Sequence, residues 1–433
     1  MGVVVAGCDE RAGNSSPDAS ASQQDKAALT AREKTLLTRL SPLGEPPVDE
    51  TNAVVGDERA ARLGQFLFFD ERLSKNGEVS CATCHKPEEG FSMAEPLAEG
   101  LEKTPRHAPT LLNAAFNHWY NWDGSADSLW AQAIGPLENP KEMGLTRTGV
   151  VHLIAGDDEL RRAYEAIFGE LPDLQNVPAE ARPVPDAPEH PHHEAWAAMA
   201  PRDQQAVNQV LTNVTKVLAA YQTRLVRADA PFDTFVEGLR GDDSRKLQAL
   251  SPSARRGAKL FLGEAGCANC HTGPNFSDGS FHNLGLGARD WLPKPDEGRW
   301  DGVTLVKKSE FSSTGAYSDD TDGKRARWNA FLTQTPEDHG QFKTPTLRNV
   351  AVTAPYMHGG HFETLEEVVR FYMTLGERGR LGHREEMLVP LALSERDIGD
   401  LVAFLESLTG EPLEPELTHP PASPLSTPVA KNP

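Results

Sequence analysis

Four of the five cysteines in this chain of 433 residues fall in two short windows, Cys81-Ala-Thr-Cys84-His85 and Cys267-Ala-Asn-Cys270-His271. Each window sets two thiols a helical turn apart with an imidazole directly behind. The remaining thiol, Cys8, has no partner left for a disulfide. Paired thiols followed at once by His suit thioether bonds to the vinyl groups of one haem, with the His beneath the iron. Zinc is the competing chemistry, since two such pairs can form one four-thiolate site. The usual separation between zinc pairs is about 15–20 residues, whereas these stand in different halves of the chain. A thioredoxin-like redox pair calls for a βαβ setting and gives no reason for His to follow twice. The windows predict two covalent c-type haems, on His85 and His271.

The elements that must position these groups repeat as well. Before the first window stands ARLGQFLFFDERLSKNGEVSCATCH and before the second ARRGAKLFLGEAGCANCH, so each Cys pair follows an Ala-Arg-x-Gly helical segment. Two related units are implied. In DQQAVNQVLTNVTKVLAAYQTRLV, Val207, Val210, Leu211, Val214 and Val217 recur at helical spacing. The stretch 171–202 is rich in Pro and cannot be one regular helix; its His190, His192 and His193 read as an incidental cluster rather than a metal site. A long polar stretch, 285–340, has the composition of loops, and the Pro-rich tail after Gly410 should be extended. Strand signals are sparse, so the fold class expected is mainly α with long loops.

Basic residues number 43 and acidic ones 63, a net charge of −20, which repels nucleic acid and anionic membranes and attracts a basic protein. Hydrophobic residues make up 38%, with mean hydropathy −0.48, and no run approaches the about 20 apolar residues that span a bilayer. The opening MGVVVAGCDE resembles the lipobox of a bacterial lipoprotein signal, with Cys8 as the acceptor of lipid. Residues 9–30 suit a flexible tether. A periplasmic protein, anchored through lipid on Cys8, is expected, and covalent haem fits that location.

The chain resembles the bacterial di-haem cytochrome c peroxidases and their MauG-type relatives. The resemblance rests on linked segments: LGQFLFFDERLSKNGEVSCATCH, PRHAPTLLNAAFN, NWDGSADSLWAQAIGPLENPKEMG, GCANCHTGPNF, FKTPTLRNVAVTAPYMHGGHF and LVAFLESLTG. It implies two cytochrome c-like helical domains with one haem each. The expected division is a signal remnant and tether at 1–45, a first domain at 46–240, a second at 241–412, and a tail at 413–433. The His85 haem would meet hydrogen peroxide and the His271 haem would handle electrons. Cleavage of the peroxide O–O bond needs a group that takes a proton from one oxygen and returns it to the other, and the resemblance gives this role to Glu142 of NPKEMG. Gln132 and Pro136 of AQAIGP would line the same pocket. Trp122 of WDG would pass electrons between the haems, with Trp119 and Trp130 as core aromatics.

Two positions depart from the peroxidase pattern. Many of these enzymes close the peroxide haem with a second His from the loop before Arg-x-x-Pro-Thr; here Glu99 stands at that place. An iron left five-coordinate at rest is expected, unless His107 or His118 reaches it. At the second haem the sixth ligand is Met in the peroxidases and Tyr in MauG. Leu365, Val368, Val369 and Tyr372 fall on one helical face, which points to Tyr372, with Met373 or His358 as alternatives. A calcium ion between the domains is also implied, held by the carbonyls of Thr353 and Pro355 and weakened because His107 replaces the family's Asn.

The activity expected is reduction of hydrogen peroxide with electrons from a small basic protein such as a cytochrome c. MauG-like oxidation of a partner protein is the second reading, and a di-haem electron carrier without peroxide chemistry the third. The sequence leaves a homodimer open.

Overall fold

The computed structural model describes residues 29–286, 295–376, 379 and 381–426. Cys8, the expected lipid site, lies outside the described residues, as does most of the tether. Among the described residues the structure is helical apart from one pair of short antiparallel strands, Phe281–His282 and Phe342–Lys343, with Phe281 opposite Lys343.

The helix Glu58–Phe68 begins at Asp57, whose carboxylate accepts the Arg59 N–H at 2.8 Å. It buries Leu63, Leu67 and Phe68 against the helix Pro201–Gln222. The two backbones touch at Gly64, where a Cβ would collide with the Val217 carbonyl. The second unit repeats the device: the helix Pro252–Leu262 crosses Glu395–Glu406 at Gly257, where a Cβ would meet the Asp400 carbonyl. The shared Gly of the two Ala-Arg-x-Gly segments is therefore a helix-crossing point.

Among the described residues two large cores result, beside a small cluster of Met93, Ala98 and Ala108. The first gathers Leu63, Phe68, Trp130, Ile154, Val207 and Leu211 around the Pro201–Gln222 helix. The second is aromatic, with Phe232, Phe261, Phe276 and Phe404 packed at ring-centroid distances of 5.0–6.4 Å. The units meet across Arg106, which bridges Asp123 at 2.6 Å and Asp296 at 2.7 Å.

The packing departs from the sequence reading in four places. The helix Pro231–Gly241, expected at the end of the first unit, buries Phe232, Phe235 and Val236 in the second core. Ala31–Thr38, expected in the tether, is a helix whose Leu37 joins the same core. The stretch read as loops contains the helices Arg299–Lys308 and Lys324–Ala330. The tail forms a turn of helix at Pro415–Thr418, and Leu417 packs on the first core.

Candidate active site at the two Cys-x-x-Cys-His loops

Cys81 and Cys84 form a single helical turn after Ser80, and His85 follows it out of the helix. The His85 ring sets Nδ1 3.2 Å from the Phe91 carbonyl oxygen. An Nδ1–H donated there leaves Nε2 bare to bind a metal. Burial pulls the imidazole down to about 4, so it is neutral, the form that ligates. At the second window His271 Nδ1 lies 3.0 Å from the Phe276 carbonyl, and burial lowers this His too. Phe91 and Phe276 both take positive φ, 54° and 50°, which aims their carbonyls at the imidazoles. Nearby, Thr110 donates to the Gly90 carbonyl at 2.6 Å and Thr346 to the Asn275 carbonyl at 2.7 Å.

One cavity of about 1490 Å³ runs between the windows and is lined by Cys81, Cys84, His85, Cys267, Cys270 and His271. It exceeds the 300–1,000 Å³ usual for a single small-molecule site. Burial raises the Cys81 and Cys267 thiols to about 12 and Cys84 to about 11, as expected of sulfur facing an apolar space and not a cation. Mostly apolar walls with a neutral imidazole at each end fit two flat, hydrophobic macrocycles.

Glu142, Gln132 and Pro136 all line the cavity, and the Glu142 carboxyl lies close enough to Cys84 to raise that thiol. Glu142 is half-buried; burial raises its carboxyl, and Asn139 Nδ2 donates to Oε2 at 2.9 Å. Its backbone is fixed by Leu101 N–H, which donates to the Glu142 carbonyl at 2.9 Å. Gln132 donates to Asn121 Oδ1 at 3.2 Å. Pro136 sits inside the helix Leu129–Glu138, where it removes a backbone hydrogen bond.

That helix has a counterpart over the second window, Leu365–Thr374. Both have 10 residues and begin after a hydroxyl cap, Ser128 or Thr364. Matched from Leu129 and Leu365, Pro136 and Tyr372 occupy the same position two turns on. Tyr372 lines the cavity beside Cys267 and Cys270, and burial raises its hydroxyl. Met373 instead packs against the second core.

Trp122 lines the cavity. Its indole Nε1–H donates to the His107 carbonyl at 2.8 Å, and its own carbonyl accepts the Lys343 N–H at 2.8 Å. The ring meets His358 edge-on at 6.5 Å, and His358 lies flat on Phe342 at 3.7 Å. Trp130 is fully buried, its indole bonded to Thr51 at 2.9 Å, and Trp119 lies under Arg299 at 4.4 Å. Three features of the site escaped the sequence reading. The Phe91 and Phe276 carbonyls are backbone groups without a side-chain signature. Lys343, whose amine burial lowers to about 8, looked like an ordinary charge in FKTPT.

A family profile described as di-haem cytochrome c peroxidase matches residues 58–241. MauG, the methylamine utilization protein of Methylorubrum extorquens, is 34% identical over 404 residues, 92% of this chain and 90% of that protein. The cytochrome c551 peroxidase of Pseudomonas aeruginosa is 30% identical across 93% of this chain and 94% of its own. The chain belongs to the di-haem cytochrome c peroxidase and MauG family. Among solved structures, a MauG-like protein associated with microbial copper homeostasis superposes with a TM-score of 0.60 at 26% identity, covering 90% of this chain and 97% of that one. The di-haem peroxidase BthA of Burkholderia thailandensis shares the fold, with a TM-score of 0.58, 22% identity and coverage of 86% and 91%.

As a di-haem oxidoreductase of this family, the chain carries its departures in defined surroundings. Glu99 is exposed and points to Lys103 at 3.8 Å, while its carbonyl lies 3.6 Å from Cys84 Sγ. Both ring nitrogens of His107 are engaged, with Ser92 Oγ at 3.0 Å and the Glu95 carbonyl at 3.2 Å. His118 packs on Trp328 at 5.0 Å. Thr353 and Pro355 line the cavity near the unit boundary. In the Pro-rich stretch, His190 caps the helix Pro191–Ala197 and His192 pairs with Glu180 at 3.2 Å.

Proposed function

We propose that this di-haem enzyme reduces hydrogen peroxide at a haem held by Cys81, Cys84 and His85, with an open distal face. The second haem, held by Cys267, Cys270 and His271, would be closed by Tyr372 and store electrons. One observation carries the asymmetry. At matched helical positions one unit offers Pro136, which has no ligand atom, and the other offers a half-buried phenol on the cavity wall. The engaged nitrogens of His107 and the surface position of Glu99 support an open first site.

Haems held by the two Cys-x-x-Cys-His windows would supply iron for peroxide chemistry and electron exchange. The chain supplies the rest. Glu142 takes a proton from the near peroxide oxygen and returns it to the far one, which leaves as water. Gln132 would orient the peroxide, and Pro136 would keep a competing side chain away. Trp122, an oxidisable ring held at Nε1 by the His107 carbonyl, lies on the way from one haem to the other. A Tyr ligand favours oxidised iron and lowers the potential relative to Met. That supports the second reading, a MauG-like storage of oxidising equivalents for a protein substrate, alongside a cytochrome c donor. Calcium at the Thr353 and Pro355 carbonyls and lipid on Cys8 of a periplasmic enzyme belong to the same proposal.

Replacing Tyr372 by Phe and, separately, Met373 by Leu tests the ligand. The first change is expected to alter the low-spin paramagnetic resonance signal and the potential of one haem, and the second to leave both alone. The reverse pattern assigns Met373 and removes the argument for charge storage.

A further inference from the structure

The helix Lys324–Ala330 is a basic segment in a chain of net charge −20, and it presents two large aromatics to solvent. Trp328 is 45% exposed and Phe331, directly after the helix, 82%. Single exposed aromatics need no explanation, but these two share one edge with the exposed cations Lys324 and Arg327. The Lys324 ammonium lies 4.6 Å over the Trp328 ring. The platform is firmly held from below. Asn329 Nδ2 donates to the buried Asp127 carboxylate at 2.8 Å, and Arg325 donates to the His118 carbonyl at 3.1 Å and to the Asp127 carbonyl. The ring of Trp328 meets His118 edge-on at 5.0 Å. From His118 the chain runs through Trp119 to Trp122, and Asn117, Tyr120 and Trp122 line the inter-haem cavity. An exposed indole is thus connected to the proposed relay by one ring contact and a few covalently linked residues.

We propose that this face docks a redox protein whose contact patch is apolar and ringed by carboxylates, and that Trp328 is the point where its electrons enter. The inference rests on the reading of Trp122 as relay. Charge sets the partner's chemistry: Lys324 and Arg327 oppose the sign of the whole molecule, so carboxylates fix the register here while the apolar centre excludes water. At physiological ionic strength the Debye length is about 8 Å, so the remote acidic surface weighs little against contacts at the patch. Each turnover takes two electrons from two reduced partner molecules, one at a time through Trp328. With two protons from solvent they convert one peroxide to two waters, and each partner leaves oxidised by one electron.

The test uses the holoenzyme with peroxide and two reductants, a reduced acidic monohaem cytochrome c and ferrocyanide. A basic cytochrome c serves as a third arm. The double change Lys324→Glu and Arg327→Glu should raise KM for the acidic cytochrome at least tenfold relative to that for ferrocyanide. Trp328→Ala should lower kcat with the cytochrome at least tenfold relative to kcat with ferrocyanide. An unchanged ratio in both variants, or a rate with the basic cytochrome that exceeds the acidic one and ignores the charge reversal, overturns the proposal. Trp122→Phe separates the layers. If it slows reduction of the peroxide site by both donors while the Trp328 variant behaves as wild type, docking at this face is wrong and the relay stands. If Trp122→Phe changes nothing, the relay itself falls.

Discussion

Glu142, the proposed carrier of the proton, is half-buried near Cys84 with one neutral hydrogen-bond donor, Asn139, and no cation acting on its carboxyl. Burial alone raises its carboxyl. The sign of the pH effect follows: as the base it must be ionised, so the rate with peroxide falls as pH drops, and the limb lies above the ordinary carboxylate value. Glu142→Gln should lower the second-order rate by about 10²–10⁴-fold, the range of general acid–base catalysis, and abolish that limb. Rapid mixing with peroxide across pH reads both. A variant that keeps the wild-type limb shows that another group moves the proton. The candidate haem-attaching residues were legible from Cys, Cys and His at fixed spacing. The Phe91 and Phe276 carbonyls that face His85 and His271 were not, because they depend on backbone folded to positive φ.

At the scale of elements, the two helix crossings at Gly64 and Gly257 hold each window to its core. Gly64→Ala forces a methyl into the Val217 carbonyl, and overpacking of this kind costs about 1–3 kcal/mol. A lowered thermal midpoint, followed by helical circular dichroism, is expected; unchanged stability would show that the crossing can spread freely. The helices flanking the windows were legible because their apolar residues recur with the right period and the motif occurs twice. Arg299–Lys308 and Lys324–Ala330 were not. The first hides Gly302, Val303 and Val306, and the second only Ala326 and Asn329, so neither writes an apolar stripe into the sequence. Pro231–Gly241 shows a different limit: Phe232, Phe235 and Val236 announce a helix but not which of two cores receives them.

In the whole molecule the two windows open on one cavity, and Trp122 on its wall is tied to the first unit through His107 and to the second through Lys343. The units are clamped by Arg106 between Asp123 and Asp296, which keeps this arrangement fixed. Trp122→Phe, which preserves shape but is far harder to oxidise, should leave two haems per chain and slow electron passage between them by an order of magnitude or more. Flash reduction of one haem with both observed would read that rate, and an unaltered rate would assign the path elsewhere. Mixing the fully oxidised protein with one equivalent of hydrogen peroxide tests most directly whether an open first iron is coupled to a closed second one. Immediate spectral change at both haems without any reductant is expected; a protein that stays silent until one haem has first been reduced would contradict an open first site.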